Sequence, residues 1–131
     1  MPRKTKILLI EDHEPNRYLL TFLLEKNGFE VVAAPDGPAG IALAAREKPA
    51  LILLDIQLPG MDGHAVARAL RRDPTLAHTP LVAVTSYAMA GDQARAVEAG
   101  FDGYLEKPID PDLFVEQVRC HLRPLDPEPG R

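Results

Sequence analysis

Short apolar runs alternate five times with longer segments in which apolar residues recur at helical spacing. The runs occupy residues 6–10, 30–34, 51–55, 81–85 and 103–107. An alternation of this kind predicts an α/β fold, in which helices cover both faces of a parallel sheet. The first, third and fourth runs are apolar on both alternating faces, which is typical of central strands. The second and fifth runs are less apolar and indicate edge strands.

The segments between the runs predict five helices. The first begins near Pro15, a residue suited to a first helical turn, and ends at Gly28, because glycine readily adopts the left-handed conformation that ends many helices. Asp110 followed by Pro111 has the composition of a cap and first turn for the last helix. The later helices are predicted at about 37–47, 62–72, 90–99 and 110–121, with boundaries within about two to four residues. Four leucines of the first helix recur at helical spacing: Leu19, Leu20, Leu23 and Leu24.

Length and charge indicate a single domain without a nucleic-acid surface. The 131 residues suffice to bury roughly two-thirds of the surface that the unfolded chain would expose. The 15 basic residues are scattered apart from the amino-terminal "PRKTK", and 19 residues are acidic. The net charge of −4 argues against binding to nucleic acid or anionic membranes. No signal-peptide pattern opens the sequence, and no apolar run approaches the ~18 residues of a membrane helix. We therefore predict a cytoplasmic protein.

The carboxyl-terminal tail and the single cysteine have structural explanations. The tail, residues 123–131, is Pro-rich and charged, which predicts disorder and leaves residues 1–122 as the folded domain. The single cysteine, Cys120, has no partner for an internal disulfide and fits a reducing compartment. Its predicted role is that of a small buried apolar group in the last helix.

Polar residues stand at the carboxyl ends of four of the predicted strands. Glu11 and Asp12 follow the first strand, Asp55 ends the third, Thr85 ends the fourth and Lys107 ends the fifth. Ligands of open parallel sheets bind outside these ends, where the strand order reverses. If the first and third strands are neighbours, one crevice collects three carboxylates, a hydroxyl and an ammonium group.

Each of these residues alone has a structural explanation. An acid at a strand end usually begins a solvated loop, threonine favours strands, and a lysine before proline is most often a surface charge. Their conjunction on four strands favours chemistry. Carboxylates that share a cleft repel one another unless a cation lies among them, and Mg²⁺ prefers oxygen ligands. The histidines are dispersed and have no metal-ligand spacing: His13, His64, His78 and His121.

These residues, in this order and spacing, resemble the signature of bacterial response-regulator receiver domains. The similarity covers residues 5–122 and rests on the segments "LLIED", "LLDIQLPGMDG", "VAVTSYAM" and "GYLEKPI". The segment "LAHTPLVAVTSYAMAGD" is particularly similar to CheY-like single-domain regulators of the DivK type and to the receivers of hybrid histidine kinases. The resemblance implies a flavodoxin-like three-layer sandwich whose doubly wound sheet has the strand order 2-1-3-4-5.

The resemblance also implies a phosphoryl-transfer site. Asp55 would accept a phosphoryl group from a phosphohistidine of a sensor histidine kinase or phosphotransfer protein. Asp12, Asp55 and the backbone carbonyl of Gln57 would ligate Mg²⁺, with Mn²⁺ as an alternative ion, and Glu11 would support the site through water. The residues agree with this chemistry, since a carboxylate is a competent nucleophile and phosphoryl transfer depends mainly on positioning and charge neutralisation.

A switch follows from the same resemblance. Thr85 and Lys107 would contact the phosphoryl oxygens, and phosphorylation would add a charge of about −1.5 to −2 to the cleft. Movement of Thr85 would let Tyr104 rotate inward and change the surface of the fourth helix, fifth strand and fifth helix. Since such a ligand biases two existing populations, some active form would exist without phosphate. The peptide before Pro108 would be cis, as is common in the family, although only about 5% of X-Pro bonds are cis in general.

Two positions bear on the lifetime of the phosphoryl group, and a third departs from the family pattern. By resemblance, Gln57 and Tyr87 flank the path of the hydrolytic water. We predict that the bulky Tyr87 slows loss of the phosphoryl group, so that Tyr87→Ala should lose it faster. His13 stands where the family commonly has an acidic or amide residue; a solvated turn residue is the simpler interpretation, and any chemical role stays open.

Three other functions are alternatives to a phospho-accepting receiver. A phosphatase of the haloacid-dehalogenase kind also uses an Asp nucleophile with Mg²⁺, but it carries that residue after its first strand and a second acid where Gln57 stands here. A flavin or nucleotide binder is disfavoured because the loop "EDHEPN" has no Gly-rich phosphate cradle. A receiver fold used only for docking stays open.

The predicted partners follow from the preferred function. We predict a signalling protein, not an enzyme with a separate substrate, although it would promote its own phosphorylation and dephosphorylation. Its partners would be the phosphodonor and a downstream protein that the sequence does not identify, without nucleic acid or membrane. It would be a monomer or a dimer promoted by phosphorylation.

Overall fold

A five-stranded parallel sheet forms the centre of the protein, in the order β2-β1-β3-β4-β5. The computed structural model describes residues 4–58, 60–86 and 90–122. The strands are β1 (Lys6–Ile10), β2 (Glu30–Ala34), β3 (Leu51–Asp55), β4 (Leu81–Thr85) and β5 (Gly103–Glu106). The predicted α/β class, strand order and edge positions of β2 and β5 are confirmed. β1, β3 and β4 each have a strand on both sides, which explains why their sequences are apolar on both faces.

Five helices cover the sheet and create two apolar cores. They are α1 (Glu14–Lys26), α2 (Gly37–Glu47), α3 (Gly63–Arg72), α4 (Ala90–Ala99) and α5 (Pro111–His121), and a short 3₁₀ helix spans Pro74–Leu76. Leu20, Leu24 and Phe114 of α1 and α5 lie in one core, and Val66 and Leu70 of α3 lie in the other. The fold is therefore the three-layer sandwich that the resemblance implied.

Local signals fix most helix boundaries. The side chains of Asp36, Asp62 and Asp110 accept backbone N–H bonds at the starts of α2, α3 and α5. Gly28 has the left-handed φ of +92° expected of a helix terminator, although α1 itself ends at Lys26. All predicted elements agree with the structure to within about two residues, which is the ordinary uncertainty of helix ends.

The prediction that Cys120 is buried is wrong, because its side chain is exposed on α5. The buried face of this helix carries Phe114, Val115 and Val118. A residue two positions after Val118 is rotated by about 200° around a helix of 3.6 residues per turn, and therefore faces solvent.

Some predictions concern residues that the structure does not describe. Tyr87 and the tail 123–131 both lie outside the described residues. Of the helices in residues 4–58, 60–86 and 90–122, none has the length and apolar composition required to cross a membrane.

Candidate functional site

Three carboxylates meet at the carboxyl edge of the sheet. Ile10 pairs with Leu54 in neighbouring strands, so the residues that follow them, Glu11 and Asp55, emerge side by side. One carboxylate oxygen from each of Glu11, Asp12 and Asp55 lies within 4.8 Å of the others. The structure thus brings together the acids that the sequence placed at two separate strand ends.

The two inner acids are buried and held by backbone groups. Glu11 is 1% exposed and Asp55 is 3% exposed, whereas Asp12 is exposed. The backbone N–H of His13 donates to Glu11 Oε2 at 3.1 Å, and that of Gln57 donates to Asp55 Oδ1 at 3.0 Å. Each carboxylate therefore keeps one oxygen directed by the main chain and a second one for other partners.

Lys107 supplies a positive charge between the buried acids. Its Nζ lies 3.3 Å from Asp55 Oδ2 and 3.5 Å from Glu11 Oε1. One ammonium does not balance three carboxylates. The pKa of Glu11 is raised to about 7, first because burial disfavours the charged carboxylate and second because the Asp55 carboxyl lies beside it.

The donor set fits a hard divalent cation. Glu11 Oε1 is buried and, apart from its 3.5 Å ion pair with Lys107, has no hydrogen-bond partner among the described residues. It belongs to a cluster whose ligand atoms are all carboxylate oxygens, the type that Mg²⁺ prefers. A cation among these groups would supply the charge that the cluster lacks and would favour the ionised form of Glu11.

The ends of β4 and β5 bring Thr85 and Lys107 to this edge. Thr85 is buried, and its backbone carbonyl accepts a 2.8 Å hydrogen bond from the N–H of Lys107. The Lys107–Pro108 peptide is cis. Tyr104 is half-buried and packs against the core beneath α2 and α3, while the Gln57 side chain is exposed.

The loop after β3 is held close to Asp55 by a glycine. The N–H of Gly63 donates to the carbonyl of Ile56 at 3.1 Å, closing the loop onto the strand end. A Cβ at Gly63 would lie 2.5 Å from Ile56 Cα and 2.7 Å from Ile56 O. These contacts are too short, and the main-chain atoms of Ile56 cannot move away as a flexible side chain could. The glycine of "MDG" is therefore required by close backbone approach.

A cavity of about 530 Å³ opens beside the acidic cluster. Leu19 and Leu20 of α1 line it together with Pro108 and Ile109 after β5, and Glu11 and Lys107 border it as well. The sequence shows Leu19 only as one of four leucines at helical spacing and does not indicate that it lines a cavity. Leu19 lies at one edge of the leucine stripe of α1, where its side chain is 38% exposed.

The family model for the response regulator receiver domain matches residues 7–119. The chain belongs to this family. Response regulator PleD of Caulobacter vibrioides is 43% identical over 118 residues, which are 90% of this chain and 26% of PleD. Polar-differentiation response regulator DivK of Brucella anthropi is 38% identical over 122 residues, which are 93% of this chain and 98% of DivK. The chain thus spans about a quarter of the first relative and nearly all of the second.

Solved structures of related proteins agree with the fold. Chemotaxis protein CheY4 of Vibrio cholerae superimposes with a TM-score of 0.89 at 25% identity, covering 92% of this chain and 100% of that one. The receiver domain of sensor histidine kinase PA1611 from Pseudomonas aeruginosa, whose structure has magnesium coordinated in the active site cleft, gives 0.83 at 28% identity and covers 91% and 98%. The present chain is accordingly a receiver domain of the response-regulator type.

Proposed function

We propose that Asp55 is the phosphoacceptor and that Mg²⁺ binds beside it. The observation that carries this proposal is the position of Asp55: a buried carboxylate at the end of a central strand, within 3.3 Å of an ammonium and clustered with two further acids. In a receiver domain, this combination provides a nucleophile, charge neutralisation and a metal site at one point.

The proposed step transfers a phosphoryl group from a phosphohistidine to Asp55, with a divalent cation bound beside it. A carboxylate oxygen of Asp55 attacks phosphorus, the new O–P bond forms as the P–N bond breaks, and the donor imidazole leaves with a proton from solvent. Lys107 and the hydroxyl of Thr85 would hold phosphoryl oxygens. Asp12, Asp55 and the carbonyl of Gln57 would ligate the metal, with Glu11 acting through water. The bound ion would neutralise charge on the transferring group.

The same residues support a switch read by another protein. Phosphorylation would draw Thr85 toward the new oxygens and let Tyr104 turn inward, since Tyr104 is only half-buried. The affected surface comprises α4, β5 and α5. Gln57 and Tyr87 would set the phosphoryl lifetime. The exposed Cys120 suits the reducing cytoplasm, where we place this chemistry.

We propose that the phosphodonor docks on α1. Tyr18, Leu19 and Phe22 are large exposed apolar residues on this helix, and Leu19 also lines the cavity beside the acids. Exposed aromatic residues next to a reaction centre are typical anchors for a protein partner. A donor bound there would present its histidine toward Asp55.

Tyr18→Ala/Phe22→Ala should slow phosphotransfer from a histidine kinase of the source organism by about tenfold or more, since loss of two aromatic anchors weakens docking. Labelling by acetyl phosphate should stay within about twofold, because neither residue lines the cavity. Val97→Ala removes an exposed apolar side chain from α4 and serves as the control. Equal slowing with both donors would contradict a docking role.

Acetyl phosphate labelling tests the central proposal. Intact mass should show one added phosphoryl group per chain with Mg²⁺ present and none when EDTA removes the metal. A chain that stays unlabelled with Mg²⁺ and still binds a partner would instead be a docking module. Steady hydrolysis of a small phosphate ester would favour the phosphatase alternative.

A further inference from the structure

Helix α1 begins differently from the other helices whose starts are described. α2, α3 and α5 each have an aspartate whose carboxylate accepts a backbone N–H at the first turn. The cap of α1 is His13, whose side chain forms no such bond. The corner between β1 and α1 must therefore be fixed by other groups.

Arg17 reaches back across this corner. Its Nη1 donates to the carbonyl of Glu11 at 2.9 Å and lies 3.4 Å from the carbonyl of Asp12, also as a donor. Only 23% of the Arg17 side chain is exposed, so these bonds are partly shielded from water. One guanidinium nitrogen thereby ties together the two peptide groups that carry the proposed metal-site acids.

The backbone N–H groups of Glu11 and His13 also form hydrogen bonds at this corner. The N–H of Glu11 donates to Ala34 O at 3.0 Å in the edge strand β2, and the N–H of His13 donates to Glu11 Oε2 at 3.1 Å. With the Arg17 bonds added, both peptide groups of Glu11 have partners that set their orientation. The directions of the Glu11 and Asp12 side chains follow from these peptide orientations.

We propose that Arg17 is a positioning residue for the metal site, acting through the main chain of Glu11 and Asp12. This inference rests on the proposed function, because it assigns Arg17 a role toward the same cation. Groups that orient metal ligands typically change metal affinity 10- to 100-fold when removed. Arg17 contacts carbonyl oxygens and no cluster carboxylate in any described hydrogen bond, so its removal disturbs orientation more than it relieves repulsion of the cation.

The alternative role is an ion pair on the surface of α1. Arg17 Nη2 lies 3.9 Å from Glu14 Oε2, three residues earlier. That carboxylate is 88% exposed, and exposed pairs at this separation contribute little to stability. Glu14→Gln removes the pair and leaves the carbonyl bonds, which makes it a matched control.

Metal affinity of the full chain, measured by Mg²⁺ titration of backbone amide NMR signals without phosphodonor, tests the proposal. We expect Arg17→Ala to raise the Kd for Mg²⁺ by about tenfold and Glu14→Gln to leave it within about twofold. Arg17→Lys should fall between them, since an ammonium can still donate to a carbonyl. In metal-free protein, the His13 amide should exchange with solvent faster in Arg17→Ala than in wild type.

Three outcomes would overturn the role of Arg17. They are wild-type Mg²⁺ affinity in Arg17→Ala, tighter binding as expected from removal of a charge alone, or equal weakening in Glu14→Gln. Asp12→Asn separates these failures from failure of the proposed function. If wild type binds Mg²⁺ and Asp12→Asn weakens binding, the metal site stands whatever Arg17 does; if wild type binds none, the proposed function itself fails.

Discussion

Asp55→Asn should abolish the mass gain that acetyl phosphate gives the wild-type protein in the presence of Mg²⁺. The amide that replaces the carboxylate is not a nucleophile at neutral pH, and it removes one oxygen ligand of the proposed cation. The fold should persist, because the substitution is nearly isosteric and relieves repulsion between two buried acids that share one lysine. Circular dichroism and thermal melting would verify this.

Asp112→Asn is the matched control for this experiment. Asp112 is exposed in the first turn of α5, outside the acidic cluster, and the same change of charge there should leave labelling at the wild-type level. Labelling of Asp55→Asn to the wild-type extent would transfer the acceptor role to another residue. Peptide mapping of the labelled chain would then have to find it.

Arg71→Ala should destabilise the protein by about 2–4 kcal/mol, since it removes several partly buried charge-assisted hydrogen bonds at once. Arg71 donates to the carbonyls of Gly100, Leu76 and Thr79 at 2.9, 2.9 and 2.8 Å, and to Asp102 Oδ2 at 2.8 Å. The guanidinium joins the end of α3 to the connections that enter β4 and β5. The expected loss corresponds to a fall in melting temperature of roughly 10 °C.

Urea unfolding measures this loss directly, and two further variants interpret it. Arg72→Ala changes the exposed neighbour on the same helix and should shift the free energy of unfolding by less than about 0.5 kcal/mol. Arg71→Lys should recover part of the stability, because one ammonium replaces some of the donors. A result for Arg71→Ala as small as that for Arg72→Ala would show that water replaces the lost bonds.

The fold was predictable because its signals are local. Each strand is a short apolar run, and the aspartates that begin α2, α3 and α5 stand directly before helical patterns. The acidic site was predictable because its acids directly follow two apolar runs, and the carboxyl ends of parallel strands lie at one edge of the sheet. The family resemblance added the strand order and the individual roles.

The sequence did not predict which way individual helix side chains face or which backbone groups they contact. Whether Cys120 faces the core or water depends on a rotation of α5 that its mixed apolar pattern does not fix. Leu19 and Leu20 are equally apolar, but only the second faces the core. The bonds of Arg17 join a helix to the carbonyls of the preceding turn, and residue type alone gives no sign of such a contact.

The attachment of Lys107 to the end of β5 has a further consequence. β5 has four residues and a neighbouring strand on one side only, whereas Asp55 ends a strand enclosed on both sides. Edge segments open locally at lower free energy than the centre of a sheet. Fraying of this edge would separate the Lys107 ammonium from the acids while Asp55, the proposed nucleophile, stays in place. We therefore expect native-state amide exchange to be faster in the backbone around Lys107 than in the backbone around Asp55.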